Sequence, residues 1–115
     1  MQSIEINKRQ KLTILLGELE GQLRFLKYWQ VENPSEHSLA SQAPFAIDTL
    51  TFTQWLQFIF IEKMDQLLAL NLPLPVEMSI EPMASEYFKT QRVDSGEILT
   101  LIKKIDLVIN EKNEC

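Results

Sequence analysis

The sequence predicts an all-α fold: a four-helix bundle with a long loop between helices 1 and 2 and a short third helix. Apolar residues recur at three- and four-residue spacing, which is typical of amphipathic helices. The 115 residues include only 3 glycines, too few for a sheet-rich fold with many tight turns. Hydrophobic residues make up 45% of the chain, and its length suits one core, so we expect a single domain over residues 1–115.

The first helix is expected from about Ser3 to Tyr28. Leucines at helical spacing define its buried face: Leu12, Leu16, Leu19, Leu23 and Leu26. After it, residues 30–50 are expected to form an irregular connection, because Pro34 and Pro44 interrupt regular structure. A connection of this length allows helices 1 and 2 to pair in either direction.

The second helix is expected to begin after Thr51 and to end near Leu70. Thr51 and Gln54 have the spacing of a capping box, in which each side chain binds the backbone N–H of the other residue. Apolar residues lie nearly all round this helix, which is typical of a buried central helix. One face is expected to carry Phe52, Trp55, Leu56, Ile59 and Leu67, and the other faces Phe58, Phe60 and Ile61.

The segment Leu72-Pro73-Leu74-Pro75 is expected to end the second helix and to impose extended backbone on the next few residues. A short third helix should come next, with Pro82 in its first turn. Its inward-facing residues are expected to be Met83, Tyr87 and Phe88. The short link should set the second and third helices nearly antiparallel.

The fourth helix is expected to begin near Asp94, because Asp94 and Glu97 have the capping-box spacing in an aspartate variant. Its apolar stripe consists of Ile98, Leu101, Ile102, Ile105, Val108 and Ile109. A strand is the alternative, since the segment is rich in β-branched residues. The apolar residues do not alternate, however, and Lys103-Lys104 falls where a helix turns outward, so we favour the helix.

The net charge of −5 argues against direct nucleic-acid binding, which needs clustered lysines and arginines. The basic focus formed by Lys8, Arg9 and Lys11 is interpreted as a solvated helix face. The single cysteine, Cys115, cannot form an internal disulfide. No signal peptide is evident, and no segment approaches the ~18 apolar residues of a membrane span. We therefore expect a cytoplasmic protein without membrane contact.

The sequence contains no recognisable catalytic set. Its only histidine, His37, lies in a polar part of the connection, where a fixed catalytic base is not expected. One histidine and one cysteine cannot assemble a His/Cys zinc site. The three glycines form no phosphate-binding motif, and no Glu-x-x-His pattern suggests a di-iron bundle. We therefore expect no enzymatic activity, no metal and no cofactor.

A second face of the first helix carries two glycines. Inside a helix, each glycine lowers stability by about 1 kcal/mol relative to alanine. Gly17 and Gly21 lie opposite the leucine stripe, and Ile14, Phe25 and Tyr28 lie on or beside the same face. One interpretation is that the connection over residues 30–50 folds back onto this face. The alternative is a surface for self-association or for a protein partner.

The residues around the long connection are the other candidates for binding. Trp29, Phe45 and Trp55 either anchor the loop to the core or build a recognition groove. Asp48 and Thr49 either satisfy free amides in the turn before the second helix or contact a ligand.

A set of these residues resembles the YqcC family of small bacterial proteins of uncharacterised function. The resemblance spans most of the chain and is carried by Trp29, Pro34, Pro44-Phe45, Asp48-Thr49, Trp55-Leu56-Gln57, Met64, Leu74-Pro75 and Pro82. Two positions depart from the family pattern, with Ala46 in place of a common aromatic and Glu62 in place of a common proline. The resemblance implies a compact all-α bundle and a genomic link to tRNA pseudouridine synthase C, whose gene lies nearby.

The synthase activity is not expected in this chain, because pseudouridine synthases are much larger mixed α/β proteins. We expect instead a non-enzymatic interaction module that binds a protein partner, with the neighbouring synthase as one candidate and a second copy of the chain as another. An acidic module suits a basic partner. The alternative is a small-ligand-binding helical bundle with a pocket near Pro44-Phe45 and Trp55. The binding residues are expected to be Trp29, Pro44, Phe45, Asp48, Thr49, Trp55 and Gln57.

Overall fold

A computed structural model describes residues 2–31 and 50–111 of the chain. The described residues form four helices and no strand: α1 (Gln2–Phe25), α2 (residues 52–69), α3 (Glu81–Phe88) and α4 (Gly96–Ile109). The predicted all-α bundle with a short third helix is confirmed, including the helix over the β-branched segment of α4. Most of the predicted long loop falls in residues 32–49, outside the described residues.

Helices α1 and α4 form an antiparallel pair. Gln22 Nε2, near the end of α1, donates a hydrogen bond to Glu97 Oε2 near the start of α4 (2.7 Å). Lys8 Nζ, near the start of α1, donates to the carbonyl oxygen of Ile109 at the end of α4 (2.9 Å). Between these points the leucine stripe of α1 packs in one core with the predicted apolar stripe of α4. Both stripes are buried, except that Leu26 is only half-buried.

Helix α1 ends three residues earlier than predicted, in a Schellman motif. Lys27 takes left-handed backbone geometry (φ 69°), and the N–H of Tyr28 donates to the carbonyl oxygen of Leu23 (2.8 Å). This reversal carries Tyr28 out of the helix and against the rings of Tyr87 and Phe88. No glycine or asparagine marks the motif, which is why the sequence pattern overestimates the helix.

Helix α2 contains a π-helical segment that the sequence did not predict. Residues Phe52–Trp55 and Glu62–Ala69 are α-helical, and the six residues Leu56–Ile61 between them are π-helical. Hydrogen bonds in a π-helix join residues five apart, so the faces rotate relative to an α-helix. As a result Phe60 and Ile61 are buried, whereas Ile59, predicted for the buried face, is half-buried.

Both ends of α2 are closed by local hydrogen bonds. The predicted capping box is present: Thr51 Oγ1 accepts from the N–H of Gln54 (3.2 Å), and the N–H of Thr51 donates to Gln54 Oε1 (2.9 Å). At the other end Asn71 takes left-handed geometry (φ 54°), and the N–H of Leu72 donates to the carbonyl oxygen of Leu67 (2.9 Å). Asn71 is therefore the residue that ends α2, one position before the predicted proline-containing segment.

Two of the three basic residues at the start of α1 bind helix C-termini, so the interpretation of the cluster as a solvated face is wrong for Lys8 and Arg9. Lys8 is only 6% exposed and caps α4 through Ile109. The guanidinium of Arg9 donates to the carbonyl oxygen of Leu72 at the end of α2. Free carbonyls and the negative end of the helix dipole favour cations at such positions. Lys11 remains exposed and pairs with Glu111 (3.2 Å).

Helix α3 receives its N-terminal cap from α4. Pro82 lies in its first turn, as predicted, but Ile80 supplies no side-chain cap. Asp106, buried on α4, accepts hydrogen bonds from the N–H groups of Ile80 (2.8 and 2.9 Å) and Glu81 (2.8 Å). These bonds hold α3 against α4. Phe88 is buried in this arrangement, while Met83 and Tyr87 are half-buried.

The capping box predicted for α4 does not form. Ser95 is the N-cap residue and makes no side-chain cap. Asp94 Oδ1 accepts from the N–H of Gly96 (3.2 Å), and the Glu97 side chain binds Gln22 on α1. The contact with α1 therefore replaces the local bond that the spacing predicted.

Asp65 on α2 lies in an unfavourable electrostatic environment. Partial burial raises its pKa, and the neighbouring carboxylates of Glu62 and Glu20 raise it further. The folded state thus binds the Asp65 proton more tightly than the unfolded state, and the resulting penalty develops as pH rises through the folded-state pKa. Asp65→Asn should raise the free energy of unfolding at pH 7 by less than about 1 kcal/mol, because Asp65 is only partly buried and solvent screens the repulsion.

The gain should disappear at about pH 3, below the ordinary pKa of aspartate. Urea unfolding of both proteins at the two pH values measures it. An equal gain at both pH values would show that charge repulsion is not the cause.

Across the described ranges, no helix has both the length and the apolar character needed to cross a bilayer.

Candidate functional site

A groove of about 390 Å³ lies where the end of α1 meets the π-helical segment of α2. We call its lining, apart from the buried Gln57, the Trp29 surface. It consists of Arg24, Trp29, Gln30, Val31, Phe58 and Glu62, and the buried Gln57 completes the groove. Trp29 and Gln57, both predicted as binding residues, are therefore brought together here.

Gln57 fixes the backbone on one side of the groove. Its Oε1 atom accepts from the N–H of Gln30 (2.9 Å), and its Nε2 atom donates to the carbonyl oxygen of the same residue (2.7 Å). Gln54 adds a third bond, from Nε2 to Gln30 Oε1 (3.3 Å). A side-chain amide that binds both the N–H and the carbonyl of one residue makes the same pair of hydrogen bonds as a residue on a neighbouring β-strand. The segment after α1 is thus held in one position relative to α2.

Trp29 is half-buried and packs against the core. The guanidinium carbon of Arg24 lies 4.7 Å from the centre of its ring, a cation–π geometry. Arg24 also pairs with Glu20 through Nε (2.9 Å). These contacts orient the indole from the α1 side, so the aromatic surface of the groove is preformed.

Trp55 lies in the core and is 7% exposed. Its ring is 6.2 Å from that of Phe52 and 5.5 Å from that of Phe60, both nearly parallel to it. Burial in the core agrees with one of the two alternatives for Trp55, while most of the loop that it would anchor lies in residues 32–49, outside the described residues. The other predicted binding residues, Pro44, Phe45, Asp48 and Thr49, lie outside the described residues, as do His37 and Cys115.

The predicted second face of α1 is exposed in part. Ile14 is 63% and Phe25 78% exposed, and a Cβ atom added at Gly17 or Gly21 would meet nothing within 4 Å. Tyr28 does not share this face, because the Schellman motif turns it towards α3. Burial, followed by the nearby Tyr87, raises the pKa of Tyr28, and its hydroxyl pairs with Gln91 Oε1 (3.2 Å).

The Trp29 surface combines several kinds of side chain. It offers an indole, a guanidinium, a carboxylate and apolar side chains, with no nucleophile held against a base. Within residues 2–31 and 50–111, no group of three or more His, Cys, Asp or Glu side chains is arranged to hold a metal ion. Sequence reasoning missed Arg24, Val31 and Phe58. Helix α1 and the fold bring Arg24 and Phe58 to Trp29, and Val31, two positions after Trp29, belongs to no motif.

Comparison with known proteins identifies relatives along most of the chain. A family model described as "tRNA pseudouridine synthase C" (DUF446) matches residues 11–108. An uncharacterised protein of Haemophilus influenzae is 32% identical over 100 residues, covering 87% of this chain and 92% of that protein. The uncharacterised protein YqcC of Escherichia coli is 30% identical over 96 residues, covering 84% and 88%.

A third relative is much longer than this chain. A Pectobacterium carotovorum protein named tRNA pseudouridine synthase C is 40% identical over 60 residues, which cover 52% of this chain but only 16% of that protein. The solution NMR structure of Escherichia coli YqcC superposes with a TM-score of 0.80 at 27% identity, covering 94% of this chain and 92% of that one. The predicted resemblance is thus confirmed, and the chain belongs to the YqcC-like family DUF446, described as "tRNA pseudouridine synthase C".

Proposed function

We propose that this protein is a non-enzymatic interaction module of the cytoplasm that binds a tRNA pseudouridine synthase. The observation that carries the proposal is the Pectobacterium relative, in which a segment similar to this chain makes up 16% of a protein named for the synthase. Two sequences in one polypeptide stay at a high effective concentration. Where a segment of this kind and the synthase are separate chains, we expect a direct interface to take the place of the covalent link.

We assign the Trp29 surface as the interface. Tryptophan and arginine are enriched among the residues that dominate binding energy at protein interfaces, and apolar residues such as Val31 and Phe58 surround them here. The bonds from Gln57 to Gln30 hold this surface in place before a partner arrives. Less ordering free energy is then lost on binding.

The charge of the chain supports a basic partner. A net charge of −5 favours approach to enzymes that bind RNA and therefore carry positive patches. The association rate constant should fall as salt is raised, while binding itself survives moderate salt because the centre of the interface is aromatic and apolar.

The buried polar side chains support a structural use and not a catalytic one. Lys8 and Asp106 bind the ends of α4 and α3, and Gln57 binds the backbone after α1. The hydrogen-bonding groups of these three side chains already bind backbone atoms. A catalytic acid or base would instead need to reach a substrate.

Val31→Asp should weaken binding to the purified synthase at least tenfold. Val31 is 98% exposed, so the carboxylate does not disturb the fold, yet in the complex it would be buried in an apolar contact. Val76→Asp is the matched control, since Val76 is 80% exposed in the link between α2 and α3. Titration calorimetry with nuclease-treated proteins gives both dissociation constants.

Two outcomes would contradict the proposal at different levels. If the wild-type chain does not bind the synthase even at low salt, the proposed function is wrong. If both valine variants bind like the wild type, the partner stands but the Trp29 surface is not the interface.

A further inference from the structure

A crevice runs along the surface between the antiparallel helices α1 and α4, and we call it the α1–α4 crevice. Two grooves lie along it and share Lys104. The first, of about 340 Å³, is lined by Lys11, Ile14, Leu15, Lys104, Leu107 and Val108. The second, of about 680 Å³, lies towards the end of α1 and includes Glu18, Gly21, Asp94 and Glu97. The two ends of the crevice therefore differ in chemistry.

The first groove is apolar and has cationic neighbours. Ile14 from α1 and Leu107 from α4 are 63% and 62% exposed. Lys104 and Lys11, which also pairs with Glu111 (3.2 Å), stand beside them. This groove suits a bulky apolar side chain that has carboxylates nearby.

The chain presents such a side chain on the same face of α1. Phe25 is 78% exposed and lies about 20° around the helix axis from Ile14, at 100° per residue. One turn before it, Gly21 borders the second groove with the carboxylates of Glu18 and Glu97. The face thus carries both an acceptor groove and a matching aromatic residue.

We infer that a second copy of this chain docks on the α1–α4 crevice about a two-fold axis, with Phe25 of each copy seated in the first groove of the other. A two-fold axis places the same surface of the two copies face to face, so the two crevices run in opposite directions. The first groove of each copy, with Lys11 and Lys104, then meets the second groove of the other, where the carboxylates of Glu18, Asp94 and Glu97 outnumber the one shared lysine. This pairing goes beyond the proposed function, which concerns the Trp29 surface.

The spacing along α1 fits this pairing. The α1 wall of the first groove, residues 11–15, is centred on position 13, and position 19 is midway between it and Phe25. Gly17 and Gly21 are symmetric about the same level of the helix, so Gly17 of one copy faces Gly21 of the other. A Cβ atom added at either glycine would have no neighbour within 4 Å, so a second backbone has room to approach both positions.

Sedimentation equilibrium over a wide range of chain concentration is the first test. The wild-type mass should rise from 13.4 kDa towards twice that value. Leu107→Glu should weaken the dimer at least tenfold, because it places a carboxylate in the apolar groove. Leu70→Glu is the matched control, since Leu70 is 67% exposed at the end of α2 and lies outside the crevice. Circular dichroism checks that both variants fold.

Disulfide cross-linking tests the register. Gly17→Cys and Gly21→Cys are each made in a Cys115→Ser background, mixed in equal amounts and mildly oxidised. The mixed disulfide between the two chains should form faster than the disulfide of a Lys63→Cys control, whose cysteine lies on the exposed side of α2. Mass spectrometry identifies which chains are joined.

The inference is overturned if the wild type stays at 13.4 kDa at the highest concentration, or if the two leucine variants dimerise equally. It is also overturned if the chain is monomeric and Leu107→Glu abolishes synthase binding, which would assign the crevice to that partner. If the dimer forms as expected and Val31→Asp binds the synthase like the wild type, only the assignment of the Trp29 surface as the synthase interface is wrong.

Discussion

Replacing Asp106 with alanine should lower the free energy of unfolding by about 3 kcal/mol. The buried carboxylate accepts three contacts from the N–H groups of Ile80 and Glu81 at the start of α3. Hydrogen bonds to a charged group contribute about 1.5–3 kcal/mol, and buried amides left without a partner add a desolvation penalty. Helix α3 has no side-chain cap of its own to compensate.

Urea unfolding monitored by circular dichroism measures this loss, and the thermal midpoint should fall by roughly 10 °C or more for a chain of this size. Asp94→Ala is the control, because Asp94 makes a single bond to the N–H of Gly96 at an exposed helix start. It should cost no more than about 1 kcal/mol. If the two variants lose equal stability, the cap supplied by α4 does not hold α3 as the structure indicates.

Gln57→Ala should lower the free energy of unfolding by about 2 kcal/mol and also weaken synthase binding at least tenfold. The change removes both bonds to the backbone of Gln30, and the Gln57 side chain is buried. The segment carrying Trp29 and Val31 then loses its fixed position relative to α2. The binding loss follows because the partner must order that segment at a cost in free energy.

Asn110→Ala separates stability from binding. Asn110 makes the same kind of paired contact, accepting from the N–H of Met78 (2.9 Å) and donating to its carbonyl oxygen (2.7 Å). It is exposed and distant in sequence from the Trp29 surface, so its removal should cost about 1 kcal/mol and leave synthase binding unchanged. Equal binding losses in both variants would mean that binding follows general stability and not the geometry around Gln30.

The sequence pattern was sufficient to predict the helices, because the residues that indicate a helix lie close together in the sequence. Apolar spacing placed α1 and α4, and Thr51 with Gln54 marked the start of α2. It was insufficient where distant residues compete with local bonds. Glu97 had the right spacing for a capping box but binds Gln22 instead. Lys8 resembled a solvated residue in sequence, yet it caps a helix whose end lies 101 positions away.

For the same reason, only part of the candidate site could be predicted from the sequence. Trp29 was identified as an aromatic residue beside the long connection and Gln57 through the family resemblance, and neither argument placed the two residues in one groove. Arg24, Val31 and Phe58 carry no motif, and they border the groove because the Schellman motif after α1 turns the chain towards the π-helical segment of α2. The exposed state of Phe25 and Leu107 likewise depends on how α1 meets α4.

The sequence alone determined the helical class, the four helices and the family, since periodicity, capping residues and motif order are properties of short stretches of chain. Only the tertiary structure decided where the buried polar groups go, which aromatic residues face solvent, and which helix faces remain uncovered. These outcomes depend on competition between groups far apart in the sequence, and burial settles that competition by penalising each polar group left without a partner.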